Sequence, residues 1–138
     1  MLSPSLATVR LFLHVLAACV WVGGQFVLGA LVPTLRAVSP DGPRLAARRF
    51  NQIAWPAFAV LVVTGIWNLV SVNLTDTSTA YQMTVFLKIF IVALSGVGAF
   101  WHTNANGRRL ALALGGALAG LGGLVALFLG ILLHVHGS

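Results

Sequence analysis

The chain has 138 residues, of which 59% are hydrophobic and only 7% charged, against about 45–50% and about 25% in an average soluble domain. A mean hydropathy of +0.98 excludes a soluble globular fold, and the presence of only two acidic residues excludes a paired-carboxylate acid–base enzyme. The formal charge of +6 would suit nucleic acid, but most of it gathers in two short connections between apolar runs, so the expected partner is the lipid bilayer and not nucleic acid.

Four runs are long enough to cross a bilayer core, which takes about 20 apolar residues: 6–33, 53–73, 81–103 and 110–134. They predict an all-α fold, an integral membrane four-helix bundle forming one domain over residues 1–138. Arg36, Arg44, Arg48 and Arg49 lie between the first two runs, and Arg108 and Arg109 between the last two. The remaining connection, 71–80, has Asp76 and no Lys or Arg. The positive-inside rule therefore puts both basic loops in the cytoplasm and both termini outside, in a multi-pass protein of the inner (plasma) membrane. Arg10 is the one discordant charge, and it is expected to snorkel to the outer interface.

The first predicted helix, LFLHVLAACVWVGGQFVLGALVPTLR, carries His14 inside its apolar run. At about 100° per residue, Ala18, Trp21, Gln25, Leu28 and Val32 fall within about 40° of His14, so both polar side chains share one face. In lipid an outward imidazole and amide would be unsatisfied, so that face is expected to look inward. Leu16-Ala17-Ala18-Cys19 matches the small-residue pattern before a lipoprotein cysteine, but the apolar helix runs on through Val32, unlike a cleaved leader. The helix should end near Pro33, ahead of turn chemistry in Ser39-Pro40-Asp41-Gly42-Pro43. Residues 45–50 read as an interfacial helical lead-in, its arginines near headgroups.

In the second helix, Pro56 predicts a kink unless it falls in the first turn. Ala57, Thr64, Asn68 and Ser71 form a small and polar face, and Thr64-Gly65 allows close approach of a neighbouring element. The third helix has the cleanest pattern: Tyr81, Thr84, Lys88, Ser95, Ala99 and His102 lie within about 40° of Lys88. Snorkelling is the plain reading of Lys88, and the shared polar face is the argument for an inward functional role. In the fourth helix Gly116, Gly120, Gly123 and Gly130 form a stripe with His134, suited to close packing within the bundle or to a homo-oligomer or larger membrane complex. His134 and His136, two residues apart, can reach one centre only if the helix end unwinds.

With both termini outside, His14, Lys88, His134 and His136 belong to the outer half of the bundle, and His102 to its cytoplasmic end. A single outer site is the economical expectation: His14, His134 and His136 as metal ligands, and His14, Lys88 and His134 as cofactor-binding residues. Copper and heme b both suit neutral imidazole. A CxxCH attachment pattern is absent, which leaves non-covalent heme b, while Met1 and Met83 are the only thioethers for copper.

Three phrases in order, LHVLAACVWVGG running to PTLR, RRFNQIAWPAFAVLVVTGIWNL and YQMTVFLKIFIVALSGVGAFWH, resemble the copper-resistance protein D (CopD) membrane-domain family. That resemblance implies a non-enzymatic polytopic protein of copper uptake or tolerance, binding copper at the outer side. The chain is also similar, more distantly, to HemJ-type protoporphyrinogen oxidases, small four-helix membrane proteins associated with heme. Their helix-1 histidine and helix-3 lysine correspond to His14 and Lys88. This second likeness implies a heme b protein, an oxidase or an electron-transfer subunit. A third expectation is an accessory subunit whose polar face only packs against a larger complex.

Overall fold

The computed structural model describes residues 3–137, so Met1, one of the two thioethers, lies outside the described residues. Among the described residues every regular element is helical: α1 (Leu6–Ala18), a π-helical turn (Cys19–Gly23), α2 (Gly24–Val38), α3 (Gly42–Val70), a 3-10 turn (Leu74–Asp76), α4 (Thr79–Thr103) and α5 (Arg109–His136). Four helices are long and apolar enough to cross a membrane, the first being α1, the π turn and α2 taken together. The all-α class and the four spans expected from hydropathy are present. The chain divides into two compact units, Met1–Val72 and Asn73–Ser138, each built on a helical hairpin.

In the first unit, Ser5 opens α1 with a capping box. Its Oγ accepts from the Thr8 amide at 3.2 Å, and Thr8 Oγ1 accepts from the Ser5 amide at 3.3 Å, satisfying two amides that no helical carbonyl can reach. The span does not end at Pro33 as expected; α2 continues to Val38 with the proline inside it. A proline is tolerated in an apolar span, and the carbonyl that loses its partner belongs to Gly29, around whose absent β-carbon there is open space. After a three-residue turn α3 begins at Gly42, with Pro43 in the first turn where its missing amide costs nothing. The expected lead-in, 45–50, is therefore the start of α3, and Pro56 stands well inside that helix. At 1.5 Å per residue α3 is about 44 Å long, longer than an apolar core of about 30 Å. Its Gly42 end, with Arg44, Arg48 and Arg49, supplies the polar excess.

The π turn is the feature that a regular wheel misses. One extra residue between α1 and α2 advances everything after it by about 100°. Trp21 and Val22 are buried at the turn, and the ring of Phe50 closes over Gly24, the next residue to face α3. The turn therefore interrupts the single helical period that put Gln25 in one stripe with His14. Trp21, 2% exposed, packs against Phe58 (centroids 4.3 Å apart) and Trp55 (5.5 Å). Aromatic contacts of this kind contribute about 0.5–1.5 kcal/mol each beyond area burial, and they clamp the hairpin below His14.

In the second unit, Ser78 caps α4 by accepting from the Tyr81 amide at 3.2 Å. The turn into α5 passes through Asn106 (φ 49°) and Gly107 (φ 78°), a left-handed pair that favours glycine at the second position. The two helices meet backbone to backbone. A β-carbon on Gly98 would stand 2.7 Å from the Ala119 amide nitrogen, and one on Gly115 would stand 2.6 Å from the His102 nitrogen. Buried Ser95 donates to the Ala119 carbonyl at 2.7 Å, a bond worth about 0.6 kcal/mol by analogy with measured membrane-helix pairs. The glycine stripe of α5 thus includes Gly115 and Gly122 in addition to Gly116 and Gly130.

Candidate functional site

His14 sits in the middle of α1, half-buried, on the face turned to α3. Its Nδ1 lies 2.8 Å from Thr64 Oγ1, and Thr64 is 4% exposed. Thr64 also donates to the Val60 carbonyl one turn back, at 2.7 Å. A hydroxyl has one proton, and a carbonyl can only accept. The Leu61 carbonyl lies 3.2 Å from the same hydroxyl, so with a carbonyl taking that proton the contact to His14 would be made by a donated Nδ1–H. That contact orients the His14 ring against α3, as a bond to one ring nitrogen orients histidines that ligate metals through the other. Gly65 is the reason the ring fits: a β-carbon there would touch Cε1 at 3.4 Å. The close approach expected at Thr64-Gly65 is made by the histidine ring.

One turn towards the N-terminus, Arg10 occupies the same face. Its Nη1 donates to Ser71 Oγ, and Ser71 donates onward to the Trp67 carbonyl at 2.7 Å. The guanidinium carbon lies 5.9 Å from the centroid of the Trp67 ring. Arg10 Nε is buried without a hydrogen-bond partner. The side chain is thus drawn sideways onto the end of α3, where snorkelling alone was expected. Sequence reasoning noted its disagreement with the charge rule and read it as an interfacial anchor; its i−4 spacing from His14 was readable too.

In the second unit, Lys88 is half-buried on α4, and its Nζ lies 3.0 Å from where a β-carbon on Gly130 would be. Tyr81 faces Gly137 and Ser95 faces Gly122, so Gly130 is the α5 residue level with Lys88. The amine has crossed to the neighbouring helix at its own depth and has not travelled outward along α4. The one acid of this unit, Asp76, is in the connecting turn and bonded to Asn73. His134 is exposed one turn beyond Gly130. His136 is exposed and donates from Nδ1 to the Leu132 carbonyl at 3.0 Å. α5 stays helical through His136, so the unwinding that would bring His134 and His136 to one centre does not occur. His102 donates from Nδ1 to the Leu112 carbonyl at 2.8 Å and lies over Gly116, tying the end of α4 to the start of α5. A shallow groove at that end, lined by Phe100, Trp101, Asn104, Arg108 and Ala111, carries no metal-ligating side chain.

Among the described residues, neither unit groups three or more His, Cys, Asp or Glu side chains around a common centre. The first unit therefore offers a single oriented imidazole, and the second an amine and three exposed histidines, of which His102 and His136 are bonded to backbone carbonyls. Comparison with protein-family models, with curated proteins and with solved structures finds no match to this chain.

Proposed function

We propose that this is a multi-pass inner-membrane protein, termini outside, that holds heme b through His14. The observation that supports the reading is the 2.8 Å contact between His14 Nδ1 and the hydroxyl of buried Thr64, which orients an imidazole inside an apolar span. Heme b asks the protein for as few as one axial nitrogen, which is what the first unit provides. A copper ion takes several nitrogen or sulfur donors, and in that unit the described side chains besides His14 able to bind a metal are Cys19, five residues on and exposed, and Asp41, in the turn at the far end of the hairpin. When bound, the heme supplies one-electron chemistry. His14 would hold it through the imidazole, Thr64 would orient that ring, and the span would surround it with apolar side chains.

Protein purified from membranes of heme-sufficient cells should show a Soret band with iron near one equivalent per chain. Stoichiometric copper with no Soret absorbance contradicts the heme reading and returns the CopD-like one. Neither metal nor pigment favours the accessory-subunit reading.

A further inference from the structure

We propose that Arg10 is the receptor for a carboxylate of the group held at His14, an assignment that rests on the heme reading above. Arg10 is the charge that the distribution of basic residues does not account for. A half-buried cation is costly unless it is paired, yet both groups that hold it are neutral: the Ser71 hydroxyl and the face of Trp67. Asp41, the one acid of the unit, lies in the turn at the opposite end of the hairpin. Nε has no acceptor at all.

The guanidinium is nevertheless aimed. Ser71 spends its proton on the Trp67 carbonyl, so its oxygen is a fixed acceptor for Nη1, and Trp67 supports the plane from one side. What is left is a charged, oriented fork with donors still to satisfy, the geometry that arginine uses for carboxylates. Arg10 and His14 are four residues apart on one face, about 6 Å along the helix axis. Heme b is an apolar ring with two carboxylates on one edge. An imidazole deeper in the span and a cation one turn nearer its end match that asymmetry, with the acidic edge towards the membrane surface.

The test is an absorbance titration of the purified full chain, in neutral detergent, with heme b and with its dimethyl ester, which keeps the iron and ring but removes both charges. Wild type should bind heme b more tightly than the ester by roughly tenfold or more, the range of a hydrogen bond to a charged group. Arg10→Gln should lose that discrimination while keeping wild-type affinity for the ester, which also shows that its fold and His14 are intact. His14→Ala should weaken both. If Arg10→Gln discriminates as well as wild type, the carboxylate is not read by Arg10 and the proposal fails while the heme reading stands. Equal wild-type affinity for the two compounds has the same meaning. A wild-type protein that binds neither compound sinks the heme reading and the proposal together. Native mass spectrometry separates the remaining source of an oxyanion. An anionic phospholipid retained by wild type and lost in Arg10→Gln, with no discrimination between heme and ester, assigns the site to a lipid phosphate and overturns the carboxylate assignment.

Discussion

At the scale of single residues, the account turns on where protons sit. Thr64 has one hydroxyl proton and two carbonyls, of Val60 and Leu61, within reach of it, so a donated Nδ1–H is the form expected of His14, set by a threonine fifty residues away in sequence. Thr64→Ser keeps the hydroxyl and should keep the Nδ1–H form. Thr64→Val keeps the shape and loses the fixing partner, and should weaken cofactor binding roughly 10–100-fold, the usual effect of removing such a support. Nitrogen NMR of selectively labelled His14 in the cofactor-free protein reads the tautomer directly; a valine variant with the wild-type signal would remove Thr64 from the account. Lys88 separates two roles in the same way. Lys88→Met should leave the helical hairpin intact, since methionine keeps the apolar stem beside Gly130, and should leave heme retention at His14 unchanged if the amine serves only the α4–α5 unit. A Soret band lost in the Lys88→Met protein would contradict that confinement. The half-buried settings of His14 and Lys88 were legible from periodicity because ionisable groups in apolar runs are conspicuous. Arg10 was less legible: an arginine at the start of a span reads as an anchor until its acceptor-less Nε is seen.

At the scale of elements, the spans were legible because about 20 apolar residues have few other uses, whereas their ends were not. Pro33 and Gly42-Pro43 are turn-forming in water, but in this chain α2 runs past the first and α3 starts at the second. The π turn at Cys19–Gly23 was not legible, because a wheel assumes one period and the extra residue changes it midway. Glycines are where sequence and structure together predict most. Gly98→Ala and Gly115→Ala put a methyl group within 3.0 Å of backbone atoms that cannot move independently, and each should destabilise the α4–α5 hairpin by about 1–3 kcal/mol or more. Gly29→Ala meets nothing within 4 Å and should be neutral or stabilising by up to about 1 kcal/mol. Detergent or urea unfolding followed by circular dichroism orders the three variants. A Gly98→Ala protein as stable as Gly29→Ala would contradict the close seam.

At the scale of the whole molecule, the proposed topology, with both termini outside, rests on the arginines of the two basic loops. In a Cys19→Ser background, single cysteines at Ser5 and Thr75 should react with a membrane-impermeant thiol reagent on intact cells, and one at Asn106 should react only after lysis. The reverse pattern would invert the protein and put Arg10 at the cytoplasmic face. The central claim is that this membrane chain binds heme b through His14, and ligand exchange at that one position tests it most directly. Heme-loaded His14→Ala should lose the wild-type Soret position and much of its affinity, and added imidazole, free to fill the space left by the side chain, should restore the wild-type spectrum. A His14→Ala protein that keeps the wild-type Soret band, affinity and midpoint potential without imidazole would contradict the account.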